Sequence, residues 1–243
     1  MRIGTWNVEY APEGRLDVLR RVMSLHTADI WVLTETHDVL APSGAVHAAH
    51  SDPRPRQRDG SRWVSIWSRY PIVEQVVCKD ARRTMCAVID TPEVGSLVLY
   101  GTVMPWHTDQ GDDPPPDILP NWTEHDRVVA LQCEEWRGLC KRFPGSFCVA
   151  GDFNTDMGSG ARYGTKRGIA TITQAMDECD LFCATAPGRV PDGRLTMLPI
   201  DHIVLPSAWA QSTSVVAAWP AFKGVVSDHS GLIVEVKPSS RPS

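Results

Sequence analysis

The sequence predicts an α+β domain in which two packed sheets are flanked by helices. Three observations carry this expectation. Short strand-like runs dominate, three longer stretches show helical spacing, and neither an internal repeat nor a linker separates two cores. One domain over residues 1–236 follows, with residues 237–243 expected to be a flexible tail.

The strand-like runs are residues 3–8, 30–34, 63–68, 72–77, 85–89, 97–104, 147–150, 201–205 and 231–236. Each is rich in Val, Ile or Trp and is bounded by Pro, Gly, Asp or Ser. Helical spacing marks residues 13–25, 123–142 and about 168–180. In the first helix Leu16, Leu19, Val22 and Met23 share a face, and Arg15, Arg20 and Arg21 are expected to turn outward. Asn121 or Thr123 is expected to cap the second, with Glu124 and Asp126 in its first turn. Two stretches resist assignment. Residues 41–62 hold three prolines together with Arg54, Arg56, Arg58 and Arg62, and residues 106–120 read as an acidic, proline-rich surface loop.

Composition narrows the class. The 243 residues are 42% hydrophobic and 22% charged, which is ordinary globular usage with enough chain to bury a sizeable core. A net charge of −5 argues against gripping nucleic acid by bulk electrostatics, although a local basic patch stays compatible with it. The seven cysteines form no CxxC pair and sit in apolar contexts such as Phe147-Cys148-Val149, so they read as buried thiols. The chain opens directly into MRIGTWNV, without a leader pattern, and no apolar run is long enough for a membrane span. These features predict a cytoplasmic protein, monomeric by default.

The chemistry lies where polar residues end the strands. RIGTWNVE ends near Asn7, and DIWVLTET brings Glu35 to its end. FCVAGDFN supplies Asp152 and Asn154, LPIDHIVLP starts a strand on Asp201, and VVSDHSGLIVEV places Asp228 and His229 just before the last strand. Taken singly, each has a plain reading as a turn or a solvated strand end. Together they make an all-oxygen set suited to Mg²⁺ or Mn²⁺ (Glu35, Asn7 and one or more aspartates) beside an acid–base set. Asp152 would take a proton from water and Asn154 would orient that water or the substrate. His229 would donate to a phosphoryl oxygen, with Asp201 fixing its tautomer. Gly151 fits the turn, and Asp156 reads as an ordinary loop acid.

TWNV, TET, SIWSRYPI, GDFN, IDHIV and SDHSG, in that order over Thr5 to Gly231, resemble the motif series of the endonuclease/exonuclease/phosphatase superfamily. The resemblance implies a four-layered α/β/β/α sandwich with its site at one edge of the two sheets, and Mg²⁺- or Mn²⁺-dependent hydrolysis of a phosphoester. It implies roles for Asn7, Glu35 and Asp228 toward the metal, and for Asp152, Asn154, Asp201 and His229 in catalysis. One position departs. Relatives place a His or Tyr where LVLYGTVMPWH has Val103, so His107 is expected to serve instead, with Tyr100 as the alternative.

For substrate, Arg162, Lys166 and Arg167 follow GDFNTD and are the expected phosphate contacts, ahead of the arginines of residues 54–62. Trp63, Trp67 and Trp106 could stack on bases or be buried in the core. Three readings follow. The first is a metal-dependent nuclease or phosphodiesterase acting on nucleic acid. The second is a phosphatase or phosphodiesterase for a small-molecule or lipid-headgroup phosphate. The third is a binding module that kept the fold without turnover.

Overall fold

A computed structural model describes residues 1–111, 114, 116–158, 160 and 162–237. Of the expected tail at 237–243, residues 238–243 lie outside the described residues. In chain order the elements are β1 (Arg2–Asn7), α1 (Leu16–Leu25), β2 (Ile30–His37), β3 (His47–His50), β4 (Ser61–Ser68), β5 (Ile72–Val76), β6 (Thr84–Thr91) and β7 (Gly95–Val103). There follow α2 (Thr123–Arg142), β8 (Phe147–Asp152), α3 (Lys166–Glu178), β9 (Leu181–Cys183), β10 (Asp201–Pro206), β11 (Thr213–Trp219) and β12 (Gly231–Val236).

The strands form two sheets of six, ordered β11-β12-β1-β2-β4-β3 and β5-β6-β7-β8-β10-β9. Each holds one parallel pair, β1 with β2 and β7 with β8, and every other pairing is antiparallel. A parallel pair needs a crossover, and helices α1 and α2 supply the two. The period-two alternation of the strands then builds the layers. Along β7, Leu97, Leu99 and Val103 face the other sheet, while Val98 and Tyr100 face the helices. Trp136 of α2 and Ile172, Ala175 and Met176 of α3 cover the second sheet. Leu19 and Met23 of α1 cover the tryptophan-rich outer face of the first, with Trp6, Trp31, Trp67 and Trp219. The result is the expected α/β/β/α sandwich.

Several local expectations change. The first turn of α2 is closed by backbone, not by Asn121 or Thr123. Trp122 takes a left-handed φ of 69° and Thr123 N–H donates to Pro120 O, with no side-chain cap. Arg15 does not turn to solvent, because its guanidinium bonds Glu9 Oε2, Glu9 O and Val226 O. Three strands were hidden in the sequence: β3 within the unassigned 41–62 stretch, the short β9, and β11. Tyr100 is fully buried against the helices and donates to Glu135 Oε2 at 2.7 Å, so it cannot reach the strand ends. Gly151 lies inside β8, not in a turn. Its φ of 138° brings its Cα against Thr102 O, where a Cβ would collide.

Candidate active site

Strand parity aims the site. On β1 the residues facing the inter-sheet core run from Ile3 toward Asn7, on β8 from Cys148 and Ala150 to Asp152, and on β10 from Leu205 and Ile203 back to Asp201. The polar residue therefore ends an apolar row, at the edge where the two sheets open. Glu35 breaks this rule. Parity would put it with Trp31 and Leu33 under α1, but its φ of 46° interrupts the pairing to β4 and turns its carboxylate to Asn7. Glu9 and Asn154 also have positive φ, at 49° and 47°. Such backbone costs of order 1–3 kcal/mol per residue and tends to mark functional sites.

Asn7 braces both carboxylates. Its Nδ2 donates to Glu35 Oε1 at 3.1 Å and to Asp152 Oδ2 at 3.0 Å, and its Oδ1 accepts from Glu9 N–H at 2.9 Å. Asn154 completes the hold on Asp152, with its backbone N–H on Oδ1 at 2.8 Å and its Nδ2 on Oδ2 at 3.1 Å and on Met104 O. Asp201 and Asp152 are register partners across β10 and β8, and His229 spans them. Its Nδ1 is 2.6 Å from Asp201 Oδ2 and its Nε2 is 3.9 Å from Asp152 Oδ2. The loop carrying His229 is pinned from β1: Ser227 Oγ donates to Asn7 O, and Trp6 Nε1 donates to His229 O.

Burial and charge compete here. Burial pushes Asp152 up to about 7, against the pull of His229 and its hydrogen bonds. Burial also raises Glu35, with Asn7 and Arg54 opposing it. For His229, burial disfavours the charged ring, yet Asp201 and Asp152 outweigh it and lift the imidazole to about 10. The ring is held as a proton donor.

The residues fit a hard divalent cation. Glu35 Oε2 is buried at the cleft wall with no hydrogen-bond donor, and a carboxylate oxygen in that state suits a cation. Asp228 lies exposed on the same wall. Asp152, Asp201 and His229 also bring one potential ligand atom each within 4.8 Å of one another. Asp201 and the charged ring are spent on each other, so Glu35 and Asp228 are the better oxygen donors. Arg54, read from sequence as part of a rim, is instead buried and lies 3.8 Å from Glu35 Oε2. Its guanidinium is stacked 3.4 Å from the Trp63 ring centroid and 4.7 Å from that of Tyr10.

The strand ends open into a cleft of about 670 Å³. Exposed His107 and Arg162 line it. Lys166 and Arg167 do not: both are exposed at the start of α3, and Lys166 lines a separate shallow depression with Ile169 and Thr173. Trp63 is buried between the sheets and Trp67 on the face that α1 covers, while Trp106 lines the cleft. Val103 is a fully buried core residue paired with Asp152. Sequence reasoning missed Glu9, Tyr10 and Tyr163, which also line the cleft, and undervalued Asp156, which is buried at 2% exposure. The spacing Asp152, Asn154, Asp156 was the available signal for the last; nothing local marks the other three.

A scaffold of this architecture, with carboxylates, an amide and a charged imidazole meeting at one edge of two sheets, defines a phosphoester hydrolase of the metal-dependent sandwich type. The chain belongs to the Endonuclease/Exonuclease/phosphatase family, whose profile it matches over residues 4–229. Members are phosphoester hydrolases that depend on a divalent metal. No curated protein matches the sequence closely enough to count as a relative. Among solved structures, the fold is similar to a 3′ phosphatase from Neisseria bound to a product DNA hairpin. That match has 18% identity and a TM-score of 0.67, covering 97% of this chain and 99% of that one. It is similar to an AP endonuclease from Leishmania major at 14% identity and a TM-score of 0.69, covering 98% and 88%. It is also similar to sphingomyelinase C from Streptomyces griseocarneus at 17% identity and a TM-score of 0.58, covering 96% and 98%. Among the described residues, no helix is long and apolar enough to cross a membrane.

Proposed function

We propose that this protein hydrolyses a phosphodiester with Mg²⁺ or Mn²⁺ and acts as an endonuclease- or exonuclease-type enzyme. The observation that carries the reading is the placement of Asp152 Oδ2, held by Asn7 and Asn154 on one side and faced by the His229 ring on the other. A base held this rigidly beside a charged donor suits in-line displacement at phosphorus.

Glu35 and Asp228 would hold the cation, with Asn7 orienting Glu35. A divalent ion there would neutralise charge that builds on the phosphoryl oxygens. Asp152 takes a proton from the attacking water, and Asn154 fixes Asp152 while its carbonyl oxygen stays free to orient that water. The water oxygen bonds to phosphorus, the ester oxygen departs and takes up a proton from solvent, Asp152 later returns its own proton to solvent, and one water is consumed per ester broken. His229, kept charged by Asp201, donates to a phosphoryl oxygen as its charge grows. His107 and Arg162 at the mouth of the cleft contact the substrate.

A second reading, hydrolysis of a small-molecule or lipid-headgroup phosphate, draws support from the apolar part of the cleft lining, formed by Met197, Leu198, Pro199, Ile200 and Ala221. One panel separates the two: plasmid, abasic duplex, single-stranded DNA, inositol phosphates and bis-p-nitrophenyl phosphate, each with Mg²⁺, Mn²⁺ or EDTA. Affinity that falls steeply with salt on a DNA substrate supports the nuclease reading, because several phosphate contacts release counterions. Turnover that EDTA leaves intact, or no hydrolysis of any substrate, would refute the proposal.

A further inference from the structure

The register position next to Asp152 on β7 is Val103, buried and without a polar group. On that side of Asp152 the neighbouring strand supplies no donor. The chain after β8 is folded to bring one back. Asp156 accepts from Gly158 N–H at 3.0 Å, Arg162 N–H at 2.9 Å and Tyr163 N–H at 3.2 Å, so a single buried carboxylate ties these three backbone groups together. Tyr163 O in turn accepts from Asp156 N–H and from Thr155 Oγ1. Gly164 permits this closure, since at φ 102° a Cβ would strike Thr155 Oγ1.

The Tyr163 ring is thereby delivered into the cleft that holds Asp152, Asp228 and His229. It packs edge-on against Trp122, with ring centroids 5.2 Å apart, and beside His107 at 6.3 Å. We infer that Tyr163 is a further catalytic residue, whose hydroxyl donates a hydrogen bond to a non-bridging phosphoryl oxygen on the side of Asp152 that Val103 leaves without a donor. The inference rests on the proposed phosphoester hydrolysis. Burial and the nearby Asp152 charge raise the phenol above its ordinary range, so it stays protonated and donates without losing its proton. No bond to Tyr163 forms or breaks.

The test compares the wild type with Tyr163→Phe on a phosphodiester and on the same ester with sulfur at a non-bridging position. Sulfur accepts hydrogen bonds weakly, so removing the donor matters less there. The expected result is a kcat loss of about 10²-fold on the oxygen ester, with unchanged Tm and a several-fold smaller loss on the sulfur ester. Asp156→Asn, which loosens the loop, should lower kcat in the same direction. Activity of Tyr163→Phe within about twofold of wild type overturns the inference, as does an equal loss on both esters, which marks a packing role. Full activity of Asp152→Asn, or a wild type inert on every phosphoester, overturns the proposed function itself.

Discussion

His229 joins two carboxylates that β-sheet register has already placed side by side. Its Nδ1 is 2.6 Å from Asp201 Oδ2, its Nε2 faces Asp152 Oδ2 at 3.9 Å, and Asp201 and Asp152 are direct partners between β10 and β8. Register fixes the spacing of the acids, and a loop pinned by Ser227 lowers the imidazole between them.

A pH dependence follows. The folded-state value of His229, about 10, stands above the ordinary 6.5, so the folded protein holds this proton more tightly than the unfolded chain. The pair therefore stabilises fully below pH 6.5 and loses its contribution as pH rises toward 10. Metal-free melting curves of wild type and Asp201→Asn should differ most in the acidic range and converge at the alkaline end. A gap that widens with pH would contradict the assignment.

Glu35→Gln and Glu35→Ala should separate chemistry from stability. Both should abolish turnover and weaken Mn²⁺ binding measured by calorimetry. Alanine also strands the buried Arg54 charge without its partner, costing of order 3 kcal/mol, whereas glutamine keeps the volume and an acceptor oxygen. Equal melting points for the two variants would argue against the Arg54–Glu35 pair.

Arg54→Met makes a complementary case. In the wild type Arg54 already neutralises part of the Glu35 charge, and with methionine more of that charge is left for a bound cation. Added Mn²⁺ should therefore raise the melting temperature of Arg54→Met more than that of the wild type. A smaller rise in the variant would place the cation away from Glu35.

Gly151→Ala should be destabilising by more than about 3 kcal/mol, because the new Cβ meets Thr102 O at a backbone angle that L residues rarely adopt. Denaturant midpoints measure this directly. A near-neutral result would mean that β7 and β8 separate more readily than their pairing implies.

The two-sheet class and most strands were legible in sequence because alternating apolar runs of this kind can bury only one way. β3, β9 and β11 were not. β3 is the four-residue His-Ala-Ala-His, β9 has three residues, and β11 carries a bulge between Val215 and Ala217 that breaks its alternation. Among charged residues, the arginines of residues 54–62 illustrate the limit. Arg54 is buried between Tyr10 and Trp63, yet Arg56, two residues along, is exposed, and no local pattern distinguishes them.

The motif order by itself determined the family, the fold class and the strand ends at which carboxylates, amides and an imidazole would meet, since strand parity and turn chemistry are local properties. Tertiary structure alone decided how those groups are aimed. The left-handed backbone at Glu35 reverses what parity would give, and the Asp156 clamp returns Tyr163 and Arg162 to the cleft while leaving Lys166 and Arg167 outside it. These outcomes depend on contacts between segments far apart in the chain or on a single backbone angle. Residue type and spacing carry no record of either.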